Sequence, residues 1–212
     1  MVDVARPRRA PRITAKGQRT RQRIVEAADR LLDLHGVTGV SLDDVRAEAN
    51  VSSSQIYHYF TDKRALMSAV VDHRDTLTAG DGPMSGSFES VDAVRSWGER
   101  LVNGQRESHS EGGCPIATLG TGVMDLDVDA LAQIARIFGR CEDDIRAGYR
   151  TMYADHDVDP DALATMTLAT AIGGLVLAQL SRDTRPLQAA LEALVGCLQA
   201  PLPEPSKTLA MT

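Results

Sequence analysis

Two helix-capping signatures eleven residues apart restrict this chain more than anything else in it. A serine followed three residues later by an acid or amide satisfies the orphan amides at a helix start, so Ser41 with Asp44 and Ser52 with Gln55 each open a helix. The first lasts barely two turns, with Leu42, Val45 and Ala49 facing inward. Asn50 tolerates the left-handed conformation that turns the chain, and Val51 plugs the corner. On the second helix Ile56 and Phe60, four apart, point home. Two short helices around a tight turn form a helix-turn-helix, whose second helix offers its N-terminal side chains to the major groove of DNA.

The flanking pattern is also helical. Ile24, Ala28, Leu31, Leu32 and His35 form one stripe that Gly36 stops. A fourth helix runs through Leu66, Ala69 and Val70 toward residue 79, before a Gly, Ser and Pro-rich joint at 79–87. Val94, Trp97 and Leu101 mark a fifth, and Pro115 opens a short sixth reaching about Met124. Asp127 or Asp129 starts a longer one, striped by Leu131, Ile134, Phe138, Cys141, Ile145 and Tyr149. Asp159 and Pro160 begin another, and Pro186 the last. No strand-like alternation or repeat stands out, so the chain reads as all-α.

Residues 162–181 carry no charge, long enough for a membrane span. Thr165, Thr167, Thr170, Gln179 and Ser181 dilute that stretch and no aromatic belt flanks it, so a helix buried on most sides is expected and a membrane partner is not. Gly173 and Gly174, each costing a helix about 1 kcal/mol against Ala, imply that another helix comes close, a subunit interface being one natural reason.

The net charge of −6 argues at first against nucleic acid, but its distribution argues the other way. Residues 1–23 hold eight Lys or Arg against Asp3 alone; residues 1–75 hold 13 basic and 10 acidic side chains, the remainder 10 and 19. The front thus suits phosphate, while the rear repels it. Three scattered cysteines, Cys114, Cys141 and Cys197, offer neither a disulfide framework nor metal spacing. Neither metal nor cofactor is expected. The Arg-rich start lacks the apolar core of a secretory signal, so the cytoplasm is the expected compartment. An enzyme is disfavoured: G-x-S-x-G, Walker and H-E-x-x-H motifs are missing, and DVDPD at 157–161 lacks the Gly and Glu of a calcium loop.

Candidate DNA-contacting residues are Thr20, Arg21, Ser41, Ser52, Ser53, Ser54, Gln55, Tyr57, His58, Tyr59 and Lys63. Gln55 either reads adenine bidentately or merely completes the cap with Ser52. Tyr57 and Tyr59 suit phosphate or a thymine methyl, and Lys63, opening the next helix, suits the backbone. His58 divides evenly between groove and solvated surface. For a small apolar effector, Trp97, Leu101, Met124, Phe138, Tyr149, Met152, Met166 and Thr170 are candidates to line a cavity, each with ordinary core as its rival. Cys114, before Pro115 at a helix start, suits a stabilised thiolate or a buried bystander.

Residues 18–70, with TRQRIVEAADRLLDLHG and IYHYFTDK, resemble the TetR family of bacterial regulators. GGCPIATLG at 112–120 and GGLVLAQL at 173–180 are similar to its LmrA/YxaF-like subgroup, which responds to drugs and flavonoids. Asn50 replaces the usual turn Gly, and Asp43 stands where some members place a base-contacting Arg. The resemblance implies about nine helices, arranged as a basic arm (1–17), a three-helix DNA-binding domain (18–63), a ligand-binding and dimerisation domain (64–200, opened by a linking helix at 64–79), and a disordered tail (201–212). It further implies a homodimer paired through the last two helices, placing Ala171, Gly173, Gly174, Leu177, Leu187, Leu191, Leu194 and Leu198 at the interface. A repressor of a palindromic operator is the expected function, with a constitutive architectural DNA binder as its rival.

Overall fold

The computed structural model describes residues 14–78, 84–108, 113–123 and 127–200. Most of the expected basic arm, part of the 79–87 joint, Met124 and the tail from 201 lie outside the described residues. Among the described residues there are nine helices and no strand: α1 (Ala15–His35), α2 (Leu42–Glu48), α3 (Ser53–Tyr59), α4 (Lys63–Thr78), α5 (Val91–Glu107), α6 (Pro115–Val123), α7 (Val128–Met152), α8 (Pro160–Ser181) and α9 (Arg185–Gln199). They divide between Val70 and Val71 into two compact units, seven residues later than the boundary expected after residue 63, because the first turns of α4 supply Leu66 and Val70 to the first core.

In the first unit the local chemistry reads directly off the sequence. Thr14 caps α1 by accepting from the Gly17 amide at 3.2 Å, so helix begins three residues before the expected start at 18. Gly36 ends it at φ +69°, its N–H bonded to the Leu32 carbonyl. Ile24, Ala28 and Leu32 are buried as expected, but His35, the last residue of α1 and of the same stripe, is exposed. Val45, Ile56 and Phe60 complete the core.

The second unit packs α8 between α7 and α9, α5 against α9, and α6 against α7. Asp127 and Asp159 cap α7 and α8 through their carboxylates, and Pro160 occupies the first turn of α8. Phe88 organises the centre, meeting Trp97 edge-to-face at 5.1 Å and Tyr149 at 6.2 Å. The Tyr149 and Thr167 hydroxyls, both fully buried, share a hydrogen bond of 2.7 Å, which removes the penalty of placing two polar groups in this core.

Helix α8 departs from expectation. By length and composition it is apolar enough to cross a membrane, yet only one third of its most apolar window is buried within the chain. Ala164, Ala171, Leu175 and Ala178 face inward, whereas Gly173, Val176, Leu177 and Leu180 lie exposed.

Candidate nucleic-acid interface and effector cavity

The helix-turn-helix follows from two reciprocal caps. Ser41 Oγ accepts from the Asp44 amide while Asp44 accepts from the Ser41 amide at 2.9 Å. The Ser41 hydroxyl, donating to the Asp44 carboxylate at 2.6 Å, and then the Ser41 amide hold that carboxyl below its ordinary range. Ser52 Oγ likewise accepts from the Gln55 amide, and Gln55 Oε1 from the Ser52 amide at 2.8 Å. Between them Asn50 takes φ +50°, the left-handed turn its side chain tolerates.

With α3 started at Ser53 and anchored by Ile56, its outer face presents Ser53, Ser54, Gln55, Tyr57 and His58 to solvent. Tyr57 is 57% exposed, a large apolar body left in water where a helix surface ordinarily carries charge. Gln55 spends its oxygen on the cap, so the Nε2 donors are what it can offer outward. Tyr59 is half-buried and stacks edge-on to His58 at 4.9 Å.

The candidates flanking α3 carry structural duties. Arg21 lies over the Phe60 ring, 5.2 Å from its centroid. The Thr20 hydroxyl donates to the Lys16 carbonyl. Lys63, expected at phosphate, donates from Nζ to the Val37 carbonyl at 2.6 Å, tying the start of α4 to the α1–α2 connection. Asp43 pairs with Arg46 on α2.

In the second unit a cavity of about 270 Å³ opens among α5, α6, α7 and α8. Its wall is mostly apolar: Leu101, Ile116, Ile137, Phe138 and Leu175, with Cys114 and Cys141. Leu101 and Phe138 were anticipated from sequence, but Trp97 and Tyr149 belong to the aromatic core around Phe88 instead. Met152, Met166 and Thr170 are half-buried away from this lining, and Met124 lies outside the described residues. Sequence reasoning missed Gln105. The signal existed, because Gln105 follows Leu101 by four and so continues the Val94, Trp97, Leu101 stripe, a polar residue at a core position.

Both lining thiols are pushed up, Cys114 by burial against the opposing pull of the Ala117 and Ile116 amides, and Cys141 by burial and the Asp144 carboxylate. Of the two readings of Cys114, this favours the buried bystander over the stabilised thiolate, since desolvation outweighs the helix amides.

One buried charge adjoins this wall. Arg74, on the second-unit half of α4 and only 3% exposed, donates to the carbonyl of Pro115, a cavity-lining residue, at 2.6 Å. Asp75 receives both bonds from Arg140 of α7, at 2.7 and 2.6 Å.

Of the residues expected at a subunit interface, most are consumed inside the chain. Leu187, Leu191, Leu194 and Leu198 are buried within the second unit, as is Ala171. A methyl on Gly174 would sit 2.8 Å from Leu187 Cδ1 and 3.1 Å from its Cα, so the close approach signalled by this glycine is that of α9 from the same chain. Gly173 and Leu177 remain on the exposed face.

A capped helix pair around a left-handed Asn, displaying small polar residues and then aromatics, defines a helix-turn-helix DNA-binding protein. Residues 24–70 match the bacterial regulatory proteins of the tetR family, and residues 90–193 match the C-terminal domain of LmrA/YxaF-like transcriptional regulators. An HTH-type transcriptional regulator of Mycobacterium tuberculosis is 27% identical over 201 residues, covering 90% of this chain and 100% of that one. The HTH-type transcriptional repressor NemR of Escherichia coli is 24% identical over 191 residues, covering 86% and 95%. The crystal structure of a TetR transcriptional regulator from Chloroflexus aurantiacus superposes with a TM-score of 0.71 at 24% identity, covering 89% of this chain and 98% of that one. The chain belongs to the TetR family of transcriptional regulators, with a C-terminal domain of the LmrA/YxaF-like type.

Proposed function

We propose that this protein is a homodimeric, cytoplasmic repressor that binds a palindromic operator through one α3 helix per half-site and is released by a small apolar or aromatic effector held in the second-unit cavity. The observation that carries the DNA reading is the exposed face of α3. Ser53 and Ser54 let the helix sit deep, Tyr57 and His58 meet backbone or base edges, and Gln55 donates from Nε2. Thr20, Arg21, Ser41, Ser52, Tyr59 and Lys63 flank this face, and phosphate contact is proposed for those whose polar atoms still have donor capacity.

The second copy is proposed to pair across α8, covering Gly173, Val176, Leu177 and Leu180. An apolar stripe of this kind in water favours a partner. For the response, α4 provides a continuous element from the first unit into the second. Effector contact with Pro115 or Ile116 would bias Arg74, and through it the set of α4.

The test is a gel shift of the purified protein on the region upstream of its own gene. Binding should weaken steeply with salt, and Tyr57→Ala should lose affinity while its circular dichroism stays unchanged. Failure to bind any genomic fragment in a salt-sensitive way, or a monomer at working concentration, overturns the proposal.

A further inference from the structure

We propose that Gln105 reads the effector, and that the cavity therefore selects an uncharged, ring-sized apolar molecule carrying one O–H or N–H donor. This rests on the cavity being the effector site. Gln105 lines the cavity, is 8% exposed, and its Oε1 is buried without a hydrogen-bond partner among the described residues. Buried polar atoms are overwhelmingly paired, because an unpaired one forfeits its water and gains nothing in return. An unpaired acceptor on a side chain that lines the cavity is thus complementary to a donor that arrives with the ligand.

Size and charge narrow the class further. At about 270 Å³ the cavity lies at the small end of ligand sites, enough for one or two fused rings. A carboxylate would meet the Gln105 oxygen as a like dipole and lose its hydration among Ile116, Ile137, Phe138 and Leu175. Arg100, the charged lining residue, is exposed and already donates to the Ser85 carbonyl at 2.9 Å. Burial pushes the Cys114 and Cys141 thiols up, which disfavours capture by a thiolate as a rival to the hydrogen bond.

Indole and 1-methylindole differ in the one donor at issue and in little else. Calorimetric titration of the full chain should show indole binding about tenfold tighter than 1-methylindole, the ratio expected for one neutral hydrogen bond. In Gln105→Met, close in shape but without the acceptor, that preference should vanish while 1-methylindole binding is kept or improved. Indole-2-carboxylate should bind more weakly than indole to the wild type. Equal binding of the first two probes, a preference that survives in Gln105→Met, or no binding by any probe overturns the inference; should Gln105→Met fail to fold, the wild-type pair decides alone. Release of operator DNA is scored separately. Indole preference without DNA release leaves Gln105 as the reader and overturns the cavity's effector role, whereas loss of probe binding with an intact gel shift overturns the inference and leaves DNA recognition standing.

Discussion

The adjacent glycines of α8 give opposite answers to one added methyl, and the sign at the first of them tests how two copies meet. Helix propensity favours Ala over Gly by about 1 kcal/mol at an exposed interior position. Gly139 on α7 is a reference, since nothing lies within 4 Å of a methyl built there. Gly139→Ala should therefore raise the melting temperature by about 2–4 °C in a chain of this size. Gly174→Ala meets Leu187 at 2.8 and 3.1 Å, the second distance being to backbone that cannot swing aside, so overpacking of about 1–3 kcal/mol exceeds the propensity gain. In a lone chain Gly173→Ala should behave as Gly139→Ala, because its methyl also meets nothing. Across a dimer contact on this face the methyl meets the partner helix instead, and each dimer acquires two. Gly173→Ala should then lower the melting temperature and weaken dimerisation. Melting followed by circular dichroism over a hundredfold range of protein concentration, with sedimentation velocity alongside, separates the cases. A Gly173→Ala protein stabilised like Gly139→Ala, with dimer affinity unchanged, refutes the assignment of this face.

Three further outcomes follow from single contacts. Tyr149→Phe leaves the buried Thr167 hydroxyl unpaired and should cost about 1–3 kcal/mol in urea unfolding. Burial pushes the Tyr149 hydroxyl up to about 12. A folded value above the unfolded one near 10 stabilises fully below pH 10, with the contribution lost as pH rises through about 12; in Tyr149→Phe that alkaline loss should shrink. Arg74→Met removes the donor to the Pro115 carbonyl and should cost about 2 kcal/mol, the scale of a charge-assisted bond, while calorimetry still detects probe binding and gel shifts show a smaller effector response. Ser41→Ala removes the α2 cap, costing about 1 kcal/mol, and should weaken operator binding through the head rather than through a lost base contact.

What the sequence discloses is local. The caps at Ser41, Ser52, Asp127 and Asp159 involve residues three apart at most; three form where the sequence places them, and Asp127 is one of the two starts it offers for α7. Asn50 in the left-handed region and the stop at Gly36 are equally short-range. What is lost depends on distant partners. The bond from Lys63 to the Val37 carbonyl, 26 residues away, is one that no local pattern announces. The leucines of α9, expected at an interface, are buried where α9 packs on α5 and α8 of the same chain, a closure that no local pattern announces. Trp97 and Tyr149 are aromatic enough for a binding pocket, but Phe88, in a stretch without helical periodicity, draws both into the core.

The same distinction explains why the DNA head is legible and the cavity of the second unit is not. A groove-reading helix must be exposed, so its chemistry is spelled along one short segment, and the nearby Arg-rich stretch adds a charge signal that no folding is needed to see. A small-molecule cavity must be enclosed, which requires walls from four helices scattered between Met84 and Leu175. Its composition is that of any core, since an apolar wall and an apolar interior obey the same transfer free energy. If Gln105 reads the effector, the cavity departs from an ordinary core in an acceptor left unpaired among the described residues. Gln105 on the buried stripe of α5 is that departure, and a polar residue interrupting an otherwise apolar helical face is the sequence signal by which such a site can be sought.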